Sequence, residues 1–151
     1  MIKKIFFFLV LIGITNCGYN PLYLKTNETS FYIKDYQIKG NKKIGRKIIS
    51  ALQILDKVNY KKKAYEIIID SESKIDKLSK DIAGNVTVYK TTITVEIELI
   101  EKEKIIKKKQ LSTNFTYNNI DNKFDLSQYQ KSIEKNLTNK IIDELKIFLN
   151  F

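Results

Sequence analysis

In the stretch VYKTTITVEIEL, Tyr89, Thr91, Ile93, Val95, Ile97 and Leu99 point one way along an extended chain, while Lys90, Thr92, Thr94, Glu96 and Glu98 point the other. That period of two predicts a strand with one buried face. AYEIIIDSES predicts its neighbour, with Tyr65, Ile67 and Ile69 opposite Glu66 and Asp70. FYIKDYQIK (31–39) is rich in aromatic and β-branched residues and predicts an earlier strand, which Gly40 breaks. IIKKKQLSTNFTYN predicts a fourth strand, entered through the polar turn EKEK (101–104), with Leu111, Phe115 and Tyr117 on one face and a charged start suited to a sheet edge. The segment KIDKLSKDIAGN reads as a long connection with its turn at Gly84 and Asn85.

Two stretches carry the helical period instead. After Gly40, Asn41 is placed to cap a helix whose Ile44, Ile48, Leu52, Leu55 and Val58 recur every three or four residues. At the other end of the chain, Leu126, Tyr129, Ile133, Leu137, Ile141, Leu145 and Phe148 form a second stripe, with Asp125 and Gln128 spaced as a near capping box. The predicted order is β-α-β-β-β-α. Two striped helices and a sheet with one apolar face bury one another only as two layers, so the fold class is α+β, a two-layer sandwich of a four-stranded sheet and two helices.

The N-terminal pattern differs from all of this. Lys3 and Lys4 precede the apolar run IFFFLVLIGI, which is too short for the roughly 20 residues of a bilayer span and has the form of a signal peptide over residues 1–16. Cys17, the only cysteine, follows at once. An unpaired thiol in an exported chain points to a modified cysteine, and its place just past the apolar run is that of a lipobox cysteine, cut on its N-terminal side and acylated. The bland alternative is a buried free thiol. The lipobox departs from the usual pattern at Ile14, Thr15 and Asn16, Asn16 being larger than the small residue normally found before the cut. Gly18 replaces the aspartate that retains lipoproteins at the inner membrane, which makes the outer membrane the default destination. Residues 17–30, with Pro21 and no periodicity, read as the lipidated cysteine and its tether, and 31–151 as the domain.

Cleavage before Cys17 leaves 135 of the 151 residues and lowers the net charge from +10 to about +8. The chain stays basic, with lysine in all positions but Arg46. A lysine-rich face is commonly a solvated face, and an exported chain with no ladder of aromatics and arginines is a poor nucleic-acid binder. Catalytic chemistry is not signalled. There is no histidine, no cysteine pair for zinc and no glycine-rich phosphate loop, so no metal or cofactor is expected. Ser71 to Lys74 and Ser132 to Lys135 match a Ser-x-x-Lys spacing. Eight serines in so lysine-rich a chain produce such matches by chance, and the companion motifs of serine-lysine hydrolases are missing.

The residues CGYNPLY at Cys17, followed by strand, helix, three strands and a long helix, resemble the LptE family of lipopolysaccharide-assembly lipoproteins, in particular its alphaproteobacterial form with CGFxPLY, here with Tyr19 for Phe. KDIAGNVTVYKTTITVEIELIE is similar to that family's basic hairpin and following strand, and FTYNN to its fourth strand. The similarity runs through the whole chain, although only CGYNPLY is a specific motif. The last helix departs from the family's alanine-rich version. The resemblance implies a non-enzymatic outer-membrane lipoprotein that plugs the periplasmic half of the LptD β-barrel one-to-one, helps it assemble, and binds lipopolysaccharide in transit. It implies lipidation at Cys17, anchoring in the inner leaflet of the outer membrane, and lipopolysaccharide contact by the lysines nearest the family's basic positions, Lys80 on the hairpin and Lys123 before the last helix. Two other classes stay open: a basic envelope lipoprotein that holds acidic polymer or peptidoglycan without a barrel, and a lipid-anchored hydrolase using serine and lysine.

Overall fold

A computed structural model describes residues 31–52 and 63–149. The signal peptide, Cys17 and its tether, and Leu55 and Val58 of the first helical stripe lie outside them. The elements are β1 (Phe31–Gly40), α1 (Lys42–Ala51), β2 (Lys63–Lys80), β3 (Val86–Glu101), β4 (Lys104–Asn118) and α2 (Lys123–Leu149). The four strands form one sheet in the order β1-β2-β3-β4. β1 runs parallel to β2, and the other neighbours are antiparallel. The fold is the α+β arrangement that the hydrophobic pattern predicts.

Alternation along β3 sets the layers. Thr91, Ile93, Val95, Ile97 and Leu99 are all buried, and with Ile67 and Ile69 of β2 and Leu111 of β4 they meet Ile44, Ile48 and Ile49 of α1 and Ile133, Leu137, Ile141 and Leu145 of α2 in one core. Each fully buried isoleucine or leucine is worth about 1.5–3 kcal/mol over an exposed one. The polar ties between the helices are small beside that. Lys43 reaches Glu134 at 2.9 Å with its own side chain largely in solvent, and Lys47 Nζ donates to the Lys135 carbonyl at 3.1 Å. Exposed pairs of this kind contribute at most about 1 kcal/mol. Among the described residues no helix covers the other face of the sheet. There Lys108 lies between Glu96 and Glu98 at 2.8 and 2.7 Å, and the hydrogen bonds it donates, to Glu96 first and Glu98 second, raise its pKa to about 12. Among the described residues no helix is long and apolar enough to cross a membrane.

The junction of β1 and α1 explains two residues. Gly40 has φ +64°, and a Cβ there would run into the Ser71 carbonyl, so glycine is required. Asn41 caps α1 as its position predicts, its Oδ1 accepting from the Lys43 and Ile44 amides at 3.1 and 3.2 Å. Ser71 clamps the same junction. Its carbonyl accepts from the Asn41 amide at 2.6 Å, and its hydroxyl donates to the Asn41 carbonyl at 2.9 Å.

Two expectations are corrected. The segment read as a long connection is mostly strand: β2 continues to Lys80, and only residues 81–85 turn. The charges of KIDKLSK hid this, because that part of the strand has little to bury. α2 begins at Lys123 rather than at Asp125, because the cap is Asn122, whose Oδ1 accepts from the Phe124 amide at 2.9 Å and the Asp125 amide at 3.4 Å. Phe115 shares the face of Leu111 and Tyr117, as the pattern predicts, and is 46% exposed.

Candidate ligand-binding surface

The antiparallel strands place the β2–β3 hairpin and the β4–α2 connection at one pole of the domain. Val88 pairs with Asn118, and the Asn119 amide donates to the Thr87 carbonyl at 2.8 Å, which ties the connection to the base of the hairpin. Lys80 closes β2 opposite Val86, and Lys123 opens α2 immediately after that connection. The two lysines singled out in the sequence thus share a pole, both exposed.

The hairpin tip is rigidly built. The Asp81 carboxylate accepts from the Ala83 amide at 2.9 Å, the Asn85 amide at 2.8 Å and the Asn85 side-chain amide at 3.1 Å, and Gly84 turns the chain at φ +85°. Those bonds, the Asn85 side chain foremost, hold the Asp81 carboxyl below its ordinary pKa of 3.8. The Asp81 charge is therefore engaged within the loop, while the nearby Lys80 takes part in no ion pair among the described residues.

Sequence reasoning missed the apolar part of this pole. Ile75 and Leu78 of β2, Ile82 in the turn, Phe115 of β4 and Phe124 of α2 are all exposed. α1 stops short of them, because β1 ends opposite Ser71 and the helix that follows covers only the first half of β2. Beneath this rim an aromatic cluster stiffens the surface: Tyr117 stacks on Tyr89 at 5.7 Å and on Phe115 at 6.5 Å, and Tyr129 meets it edge-on at 5.7 Å. Apolar residues in an otherwise charged run, Ile75, Leu78 and Ile82, were the available signal. Such a surface can take an amphiphile, with cations for its anionic groups and side chains for its tails.

The Ser-x-x-Lys spacings do not become sites. Ser71 faces the core and is spent on Asn41, while Lys74, three residues on, faces the opposite side of the strand and pairs with Asp76 at 2.9 Å. Ser132 and Lys135 are exposed on α2. Among the described residues no group of three or more metal-ligating side chains stands together, and no buried side-chain polar atom lacks a hydrogen-bond partner.

No family model and no curated protein matches the chain by sequence. Solved structures do match in three dimensions. Rare lipoprotein B from Shewanella oneidensis superposes with a TM-score of 0.55 at 16% identity, over 77% of this chain and 92% of that one. An uncharacterized lipoprotein B from Nitrosomonas europaea gives 0.59 at 12% identity, over 78% and 83%. A minor lipoprotein from Acinetobacter baumannii gives 0.59 at 8% identity, over 80% and 90%. This chain shares their fold. The similarity extends over most of both chains in each case, so the whole sandwich is matched rather than one hairpin.

Proposed function

We propose that this chain is an LptE-like, non-enzymatic outer-membrane lipoprotein, anchored through an acylated Cys17, that binds lipopolysaccharide and plugs and helps assemble an LptD β-barrel. The observation that carries the reading is the convergence of Lys80, Lys123 and the exposed Ile75, Leu78, Ile82, Phe115 and Phe124 at one pole. A glucosamine phosphate needs a cation, and a lysine ammonium supplies one as a compact point charge. An acylated sugar also needs apolar surface, and the pole has both. The lipoprotein names of the structures that share the fold, and CGYNPLY at Cys17, support the anchoring. Partly polar outer surfaces, including the sheet face that no helix covers among the described residues, suit a domain lodged inside a barrel lumen.

The test has two arms. The double variant Lys80→Asp, Lys123→Asp is expected to weaken lipopolysaccharide binding at least tenfold and to flatten its salt dependence; unchanged binding overturns the assignment of these residues. A tagged full-length chain extracted from outer membranes in mild detergent is expected to bring one large barrel at one-to-one ratio. Retention in the membrane with no barrel leaves the alternative, a basic envelope lipoprotein for acidic polymer or peptidoglycan.

A further inference from the structure

At the opposite pole, β3 turns into β4 through Lys102 and Glu103, and α2 ends. A register shift after Leu99 pairs Ile100 with Ile105 and leaves Ile106 without a partner on β3. As a result Ile105 and Ile106 are both exposed, at 56% and 43%, where a regular strand would turn one of them inward. The Nζ atoms of Lys107 and Lys109 stand 5.7 and 5.2 Å from the centre of the Phe148 ring, which brings the last turn of α2 onto the start of β4. Ile147 on that turn is 77% exposed. Ile106 and Ile147 are thus exposed at the same pole as Lys104, Lys107 and Lys109, and Ile105, opposite Ile100, is exposed there toward the face of Lys108; Glu101 and Glu103 are the neighbouring acids of the turn. Lys108 belongs to the other face and is engaged by Glu96 and Glu98.

We infer that, before the domain enters a barrel, this pole docks on the surface of an anionic phospholipid bilayer. Exposed branched side chains flanked by lysines are the composition of an interfacial membrane contact, in which apolar groups enter the headgroup and acyl boundary and cations meet phosphates. The chain path identifies the bilayer as the occupant. β1 starts here, Phe31 pairing with Lys63 at the beginning of β2, so the polypeptide leads from this pole toward Cys17. The thirteen residues between Cys17 and Phe31 span at most about 40 Å. With Cys17 in a membrane, the tether holds the start of β1 within that reach of it, which raises the effective concentration of this pole at the lipid surface. The Lys80 pole then faces away. The surface chemistry does not depend on lipopolysaccharide binding at that far pole, and the tether argument rests on the lipoprotein reading alone.

The experiment uses the full-length chain in vesicles free of lipopolysaccharide, made of phosphatidylcholine with or without 30% phosphatidylglycerol. An environment-sensitive dye is attached through Ile106→Cys or, at the far pole, Ile82→Cys; the wild-type chain, whose only thiol is Cys17, serves as the labelling blank. The dye at 106 is expected to shift to shorter wavelength in the anionic vesicles and to be quenched by brominated lipid, while the dye at 82 keeps its aqueous emission. Lys104→Glu, Lys107→Glu and Lys109→Glu together are expected to reduce the response at 106 by at least tenfold, and high salt is expected to reduce it likewise. An aqueous signal at 106 in vesicles that retain the chain overturns the inference, as does a shift at 82 in place of 106. A signal at 106 that changes only when a barrel protein is present also overturns it, by making the pole a protein contact.

Discussion

The hydroxyls of Thr91 and Tyr117 lie 3.1 Å apart in a buried side-chain hydrogen bond between β3 and β4. Tyr117→Phe keeps the ring and its stacking on Tyr89 and Phe115, so it isolates the hydroxyl. It leaves the Thr91 oxygen, almost fully buried, without this partner, at an expected cost of about 1–2 kcal/mol in urea unfolding. Thr91→Val removes the other half of the pair. The double variant is expected to lose clearly less than the sum of the two, because it leaves neither group orphaned. Strict additivity would show that the bond contributes nothing as a pair.

Gly45 sits inside α1, where alanine is ordinarily favoured by nearly 1 kcal/mol. Here a Cβ would meet the Ile38 side chain closer than packing allows. Gly45→Ala is therefore expected to destabilise the protein by about 1–3 kcal/mol despite the gain in helix propensity. In an Ile38→Ala background the same change should be neutral or stabilising. Thermal unfolding of the four proteins of this cycle decides the matter, and a stabilised single variant would contradict the close approach.

Lys102 and Glu103 take φ of 48° and 67° in the two-residue turn between β3 and β4. Both are left-handed, a conformation that costs most side chains about 1–2 kcal/mol and that asparagine and glycine adopt readily. Replacing the pair with Asn and Gly is expected to raise the melting temperature by several degrees. No increase would mean that the two side chains offset their backbone cost through contacts of their own.

The Asp81 carboxyl titrates below its ordinary 3.8 because the hairpin amides donate to its charged form. Its contribution to loop order is therefore complete above pH 3.8 and is lost as pH falls through the lowered native value. Followed by carbon NMR, the Asp81 carboxyl should show a midpoint below 3.8, and Asn85→Ala should move it upward, since the Asn85 side chain is the largest cause. A midpoint indifferent to Asn85 would show that the Asn85 side chain does not hold the Asp81 carboxylate.

How much of this was legible in the sequence depends on burial. β3 and the long body of α2 announced themselves because each buries a continuous set of side chains at a single period, and Asn41 was readable because a cap needs only its own side chain and two amides. The outer half of β2 reads as a connection in the sequence, since Lys74, Asp76, Lys77 and Lys80 leave no apolar alternation in a stretch that stays largely exposed. Asn122 was missed for a related reason: α2 starts on exposed residues, one turn before its apolar stripe begins. Of the candidate surface, Lys80 and Lys123 were named through the family resemblance. Their apolar companions were not, because exposure of Phe115 and Phe124 follows from how far α1 and α2 reach over the sheet, which periodicity does not report.

β1 stops at Gly40, opposite Ser71, so among the described residues β2 carries no strand on its outer side over residues 72–80. An open edge of that length is a template on which chains polymerise strand by strand. The edge here brings Lys74, Lys77 and Lys80 against any copy laid on it in parallel register, and two register shifts between Lys77 and Lys80 break the spacing that a continuous ladder needs. The half-length first strand thus leaves one margin of the hairpin open, while the lysines and bulges along that margin keep the protein from seeding fibres of itself.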